Sequence, residues 1–103
     1  MICAKYRYSV TLSSGSGSFN TDPMYGIVEH LMIVPASTTN VYDVTMTDRD
    51  GDVVYRKIGE MGRMDDKAGL PIGRDSSEKL TVAFANATSN EAVTVIFKVR
   101  EKA

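Results

Sequence analysis

Residues 2–12 alternate between two kinds of side chain, and this alternation constrains the fold more than any other feature. One row holds Ile2, Ala4, Tyr6, Tyr8, Val10 and Leu12, and the other holds Cys3, Lys5, Arg7, Ser9 and Thr11. A side-chain period of two is typical of a β-strand with one buried face. The sequence therefore predicts a strand here with an apolar inward row.

Similar segments recur along the chain, separated by turn residues. We predict further strands over 26–34, 41–47, 52–58, 79–86 and 92–100, with short strands at 61–64 and 70–72. The Asp50-Gly51 pair between two alternating segments indicates a tight hairpin. Helical spacing of apolar residues is not sustained anywhere, so we expect little helix. The pattern predicts one all-β domain over residues 1–103, an antiparallel β-sandwich or jelly roll of six to eight strands.

Composition and charge limit the kinds of partner that the chain is expected to bind. Twelve Lys and Arg against thirteen Asp and Glu give a net charge of −1, whereas a nucleic-acid binder needs a cationic excess. We expect no direct nucleic-acid partner. Apolar runs stay far below the roughly 18 residues of a membrane helix, and the first residues lack the apolar core of a secretory signal. We expect no membrane association. We expect the protein to be made in a host cytoplasm.

Two segments are predicted to be loops. Residues 13–18 are all Ser and Gly, a composition typical of a flexible connection. A phosphate cradle would require a helix directly after them, and the following residues do not predict one. Residues 59–74 contain four of the eight glycines and form a long excursion.

Three aspartates are the candidate metal ligands. Asp48, Asp50 and Asp52 alternate around Gly51, like the first ligands of a calcium loop. The calcium loop of an EF-hand needs its glycine at position 6 and a glutamate at position 12, whereas here those positions are not matched. Hairpin turns select Asp and Gly for backbone reasons alone. We predict no metal and no cofactor, and calcium at these three carboxylates is the alternative.

Catalytic candidates are few. His30 is the sole histidine and has no partner nearby in sequence, while a catalytic triad needs a nucleophile and an orienting acid. Asp65 and Asp66 are adjacent carboxylates, and paired carboxylates can hydrolyse glycosidic bonds. Such chemistry needs a cleft with stacking aromatics, and the chain has no Trp. We expect no enzymatic activity, with a hydrolase at Asp65 and Asp66 as the alternative.

The tyrosines raise a second alternative, a carbohydrate-binding module. Alternation places Tyr6, Tyr8 and Tyr42 in inward rows, where a core tyrosine keeps its hydroxyl at the rim. Tyr25 and Tyr55 could stack on sugar rings if they are exposed.

Charge is segregated along the chain. Lys5 and Arg7 lie in the first strand, Lys98 and Arg100 in the last, and aspartates crowd the middle. If the first and last strands pair, a basic stripe opposes an acidic end, which suits contacts with charged neighbours and self-association. Met61 and Met64 add adaptable apolar surface. The interface candidates are Lys5, Arg7, Met61, Met64, Asp65, Asp66, Lys98 and Arg100.

Two segments carry a family resemblance. Gly-Ile-Val-Glu-His-Leu-Met-Ile-Val-Pro-Ala-Ser (26–37) and Val-Tyr-Asp-Val-Thr-Met-Thr-Asp-Arg-Asp-Gly-Asp (41–52) resemble small accessory virion proteins of tailed bacteriophages. That family includes capsid decoration (cement) proteins and small head–tail or tail proteins. The resemblance extends over residues 26–100 in strand rhythm.

The resemblance implies a β-sandwich or jelly roll that oligomerises on a viral shell and has no active site. The implied partner is the major capsid protein or another virion protein, and the implied location is the virion. Residues 13–18 and 59–74 would then be contact segments. The expected function is a capsid decoration protein that binds and stabilises the assembled phage head. A carbohydrate-binding module and a small tail or head–tail joining protein are the alternatives.

Overall fold

The computed structural model describes residues 2–72 and 79–101. These residues form nine β-strands. The strands are β1 (Ile2–Thr11), β2 (Gly17–Asn20), β3 (Gly26–Pro35), β4 (Val41–Thr47), β5 (Val53–Met61), β6 (Met64–Asp66), β7 (Leu70–Ile72), β8 (Thr81–Ala85) and β9 (Ala92–Glu101). Within these ranges no helix is long and apolar enough to cross a membrane.

The strands form two antiparallel sheets. The first sheet has the order β1-β9-β3, and β6 and β7 both pair with the outer edge of β3, like two halves of one interrupted strand. The second sheet has the order β2-β8-β4-β5. The pairs β1/β9, β2/β8, β3/β6–β7 and β4/β5 are therefore nested, as in a long hairpin wrapped into two sheets. This strand connectivity is that of a jelly roll, and it confirms the predicted antiparallel sandwich.

Most strand predictions are confirmed. The bounds of β4 and β7 match the sequence prediction, and β1, β3 and β9 match within one residue at either end. β8 is shorter than predicted. β5 continues to Met61 instead of ending at 58, so the strand predicted over 61–64 begins only at Met64. Residues 73 and 74, the end of the predicted excursion, lie outside the described ranges.

β2 corrects the prediction of a loop over 13–18. Ser13 and Ser16 pair through their backbones in a tight turn, with N···O distances of 2.8 and 3.1 Å, and the strand begins at Gly17. Phe19 anchors this short strand because its ring lies 5.0 Å from that of Tyr8. Composition alone conceals such a strand, since only one of its four residues is apolar.

The core lies between the inward rows of both sheets. Val93, Val95, Phe97 and Val99 of β9 are fully buried, as alternation predicts, and so are Tyr42, Val44 and Met46 of β4. Aromatic rings meet edge to face between neighbouring strands of each sheet: Tyr42 of β4 with Phe84 of β8 at 5.8 Å, and Tyr8 of β1 with Phe97 of β9 at 6.1 Å. Edge-to-face pairs add to the stabilisation from area burial, so these rings reinforce the pairing of β4 with β8 and of β1 with β9.

The chain passes from the second sheet to the first at Gly62. Its φ of +67° is in the left-handed region that favours glycine. The Gly62 N–H donates to Asn40 O at 2.9 Å, and the buried Tyr42 hydroxyl donates to Gly62 O at 2.9 Å. A Cβ at this position would lie 2.6 Å from Thr38 O. Backbone approach at this corner therefore requires the absence of a side chain.

We predict that Gly62→Ala destabilises the fold more than Gly59→Ala. Both glycines have φ near +67°, but a Cβ at Gly59 meets no atom within 4 Å. The control should lose about 1–2 kcal/mol of unfolding free energy from backbone strain. Gly62→Ala should lose about 1–3 kcal/mol more from the clash with Thr38. Urea denaturation of both variants measures the difference, and equal losses would contradict a close approach at Gly62.

Candidate functional site

The outer face of the first sheet carries a basic stripe. β1 and β9 lie side by side, as the stripe requires, with Lys5 directly opposite Lys98 and Arg7 opposite Ile96. Lys5, Arg7 and Lys98 are exposed because their neighbours in sequence face the core. Lys98 in turn lies opposite His30 of β3. The register of β9 thus brings together cations that are more than 90 residues apart in sequence.

We refer to this surface as the basic face. It holds six of the ten Lys and Arg residues in the described ranges, together with His30 and two acidic residues. Its cations are Lys5, Arg7, Arg63, Lys67, Lys98 and Arg100, and its acids are Glu29 and Asp65. Positive charge is concentrated here although the whole chain has a net charge of −1.

The acids of the basic face already have partners. Arg100 Nε lies 2.9 Å from Glu29 Oε1, and Arg63 Nε lies 2.8 Å from Asp65 Oδ2. The hydrogen bond from Arg63 lowers the pKa of the Asp65 carboxyl. His30 Nε2 is 3.6 Å from Asp65 Oδ1. Lys5, Arg7, Lys67 and Lys98 have no carboxylate of the described residues within ion-pair distance.

A bulge in β3 opens a pocket in this face. The register with β9 shifts between Val28 and His30, so Glu29 is the extra residue. β7 pairs with β3 before the bulge and β6 pairs with it after the bulge. The resulting cavity has a volume of about 280 Å³ and is lined by Glu29, His30, Lys67, Lys98, Val99 and Arg100. A β-bulge commonly re-aims side chains at a sheet edge.

An apolar pair lies in the middle of the basic face. Met32 and Ile96 are cross-strand neighbours on the outward row, and each is only 8% exposed. Arg63 Nη2 lies 3.6 Å from Met32 Sδ. These two apolar side chains thus lie beneath the charged side chains of the face and add little exposed surface to it.

Asp65 and Asp66 do not form a carboxylate pair. They are consecutive residues of β6, so their side chains point to opposite faces. Asp65 joins the basic face, whereas Asp66 Oδ2 accepts a hydrogen bond from the Tyr55 hydroxyl at 2.5 Å. The expectation that Asp65 lies at an acidic end opposite the basic stripe is wrong, because β6 pairs with β3 within the same sheet.

A second, shallower cleft lies at the edge where β5 faces β6. Its volume is about 310 Å³, and its lining is mixed in charge: Lys57, Glu60, Arg63, Met64, Asp65 and Asp66. The Tyr55–Asp66 hydrogen bond at this edge joins the second sheet to the first.

The two methionine interface candidates differ. Met64 is 6% exposed and belongs to the hydrophobic core, so its assignment to an exposed interface is wrong. It faces inward because β6 belongs to the first sheet. Met61 is 62% exposed at the end of β5. Sequence reasoning missed Val53 and Ile58 on the same strand, at 53% and 65% exposure, because two register shifts on β5 break the simple alternation.

The acidic turn between β4 and β5 brings Asp48, Asp50 and Asp52 together. One ligand atom from each lies within 4.8 Å of the others. Asp48 Oδ1 accepts hydrogen bonds from the N–H groups of Asp50 and Asp52 at 2.9 and 3.0 Å. This pattern closes the turn through a side chain, so the hairpin itself accounts for the cluster.

The tyrosines are half-buried or buried. Tyr42 is fully buried, and Tyr6, Tyr8, Tyr25 and Tyr55 are half-buried. Tyr6 bonds to Glu101 at 3.2 Å and Tyr8 to Asp22 at 3.0 Å. Their arrangement does not provide a flat, exposed row for stacking on sugars.

Comparisons with known proteins include a structural likeness to a virus structure. No protein-family model matches the chain, and the search of curated proteins finds no match. A chain in the solved structure of the infectious bursal disease virus Gx strain is similar at a TM-score of 0.38 and 10% sequence identity. The likeness covers 99% of this chain and 37% of that chain. This chain therefore spans about a third of the length of that one.

We predict that Tyr55→Phe loosens the β5–β6 edge in a pH-dependent way. At pH 7 the variant should lose about 1–2 kcal/mol of unfolding free energy, because Asp66 loses its hydrogen-bond donor. Burial, and then the bond to Asp66, raises the pKa of Tyr55 above its usual 10.0. The wild-type contribution is therefore complete below pH 10 and decreases above it.

The measurement is urea denaturation of wild type and variant between pH 7 and pH 11. The gap in unfolding free energy should be constant up to about pH 9 and narrow above pH 10. A gap that stays constant to pH 11 would show that the Tyr55 hydroxyl titrates alike in the folded and unfolded chains.

Proposed function

We propose that this chain is a non-enzymatic structural component of a virus particle. More specifically, we propose a capsid decoration protein that binds the assembled head of a tailed bacteriophage and stabilises it. The resemblance of residues 26–100 to small accessory virion proteins supports this assignment. The jelly-roll wiring is compatible with it, because capsid domains, lectins and cupins share that architecture.

The observation that carries the proposal is the apolar surface of β5. Within the described ranges, the large apolar side chains that are exposed all lie on this strand: Val53, Ile58 and Met61. β5 is also an edge of the second sheet, since it pairs only with β4. Three exposed apolar side chains along one edge strand favour a protein contact there, whereas single ones scattered over a surface need no such explanation.

The irregular register of β5 suggests which kind of contact this is. The pairing with β4 shifts between Tyr42 and Val44 and again between Met46 and Thr47. Such bulges protect a free strand edge against indiscriminate pairing with other strands. A contact through the side chains of Ile58 and Met61 remains open. This combination suits a subunit that docks specifically and does not aggregate.

Stabilisation of a shell follows from mass action. A ligand that binds only the assembled state favours that state by RT ln(1 + [L]/Kd) at every site. A shell offers many equivalent sites, so a modest affinity per site suffices. A small domain without catalytic chemistry can therefore stabilise a large particle.

The alternatives receive less support from the geometry. A glycan platform needs exposed aromatic rings, and Tyr55 instead bonds to Asp66 at the β5–β6 edge. A two-carboxylate hydrolase needs converging acids, and Asp65 and Asp66 point apart on β6. A tail or head–tail location uses the same kinds of contact as decoration, and localisation on the particle distinguishes these locations.

Quantitative mass spectrometry of purified particles tests the proposal. Particles of the virus that carries the gene should contain this chain in a fixed ratio to the major capsid protein. Its absence from purified particles would contradict the proposed function.

We predict that Ile58→Asp combined with Met61→Asp prevents attachment. When purified protein is added to particles made without the chain, occupancy of this variant should fall at least tenfold, because two charges replace the exposed apolar contact. Ser18→Asp is the control, since it adds a charge to β2, the other edge of the same sheet. Equal occupancy of the double variant and wild type would contradict a role for β5.

A further inference from the structure

The basic face carries a repulsion that the fold does not require. Lys5 and Lys98 lie directly opposite each other on neighbouring strands, and like charges in that position destabilise a sheet. Their side chains are exposed, so they add nothing to the core. An opposite charge supplied by a partner would turn this local cost into a binding contribution.

The neighbouring cations extend this field. Arg7 lies two residues along β1 from Lys5 on the same outward row, and Lys67 lines the pocket beside Lys98. These four cations have no ion pair within the part of the chain that the structure describes. Arg100 and Arg63, by contrast, are paired with Glu29 and Asp65. Three of these four free cations therefore lie on β1 and β9, and Lys67 follows β6 beside the pocket.

The pattern fits an acidic protein surface better than a nucleic acid. Glu29 and Asp65 lie in the same face and interrupt its positive charge, whereas a nucleic-acid surface is typically a basic patch or stripe. The chain as a whole has a net charge of −1, which opposes association with a polyanion.

We propose that the basic face docks on an acidic protein surface of the particle, with Lys5 and Lys98 as its central charged contacts. This inference rests on the proposed function and assigns to it the surface and the chemistry of the partner. The bulge pocket, which Lys67 and Lys98 both line, would receive a carboxylate side chain of that partner. The exposed apolar row of β5 belongs to the other sheet and remains available for a second contact.

Three single charge reversals test the inference: Lys5→Glu, Lys98→Glu and, as the control, Lys79→Glu. Each changes the net charge by the same amount, and Lys79 is an exposed residue beside the second sheet, next to Leu80. At about 0.1 M salt, Lys5→Glu and Lys98→Glu should each lower occupancy on chain-deficient particles at least tenfold. Lys79→Glu should stay within twofold of wild type. Equal behaviour of all three variants would contradict the inference.

Stability distinguishes a lost contact from a damaged fold. Lys5→Glu creates a Lys–Glu pair across β1 and β9, so its thermal unfolding should occur at the wild-type temperature or above it. Lys98→Glu creates the same kind of pair but also removes an attraction to Asp65, so stability is compared on Lys5→Glu. Unfolding well below the wild-type temperature would contradict the assignment of these lysines to binding.

Two further conditions identify the partner. Wild-type occupancy should decrease as salt is raised, because exposed charges are screened. Nuclease treatment of emptied heads should leave occupancy unchanged. A loss of occupancy after this treatment would indicate nucleic acid as the ligand and contradict the inference. If wild-type protein is missing from native particles, the proposed function itself fails. If it is present and only the reversals are without effect, this inference alone fails.

Discussion

The position of β9 between β1 and β3 is the constraint on which the rest of the molecule depends. In this register its inward row, Val93, Val95, Phe97 and Val99, is fully buried, while Lys98 and Arg100 face outward. A slip of one residue would expose the entire apolar row and bury the cations. The core and the basic face are thus two sides of one register, so burial of the core also places the charges.

The edges of the sheets show where this regularity ends. β3 is bulged at Glu29, β5 departs twice from its register with β4, and the chain changes sheet at Gly62. These irregularities coincide with the pocket, the exposed apolar strand and the close backbone approach. In a jelly roll of this size the central strands provide stability, and the edges are the places where side chains can serve contacts.

Much of this fold could be predicted from the sequence, because alternation and turn residues mark most strands directly. The inward rows of β4 and β9 and the outward position of Lys5, Arg7 and Lys98 follow from period two alone. β2 could not be recognised, since Phe19 is its one apolar residue and its partner β8 lies some 60 residues away. The buried position of Met64 depends on β6 joining the first sheet, which no local pattern encodes.

The candidate site was predictable only in part, for the same reason. Two basic pairs at the ends of the chain suggested a stripe, and the pairing of β1 with β9 forms it. The contributions of Arg63, Lys67 and Met32 depend on the path of the chain after β5, and Ile58 is exposed because the bulges on β5 alter the alternation. The opposite directions of Asp65 and Asp66 follow from strand period two once β6 is known to be a strand.

In the proposed role the two sheets have separate tasks, with the basic face of the first toward an acidic protein surface and the apolar row of β5 toward a second contact. Cryo-electron microscopy of the intact particle tests this division most directly. The account predicts density for this chain on the assembled shell, with the outer face of β1, β9 and β3 against an acidic surface. Density in which that face points to solvent, or particles without the chain, would contradict it.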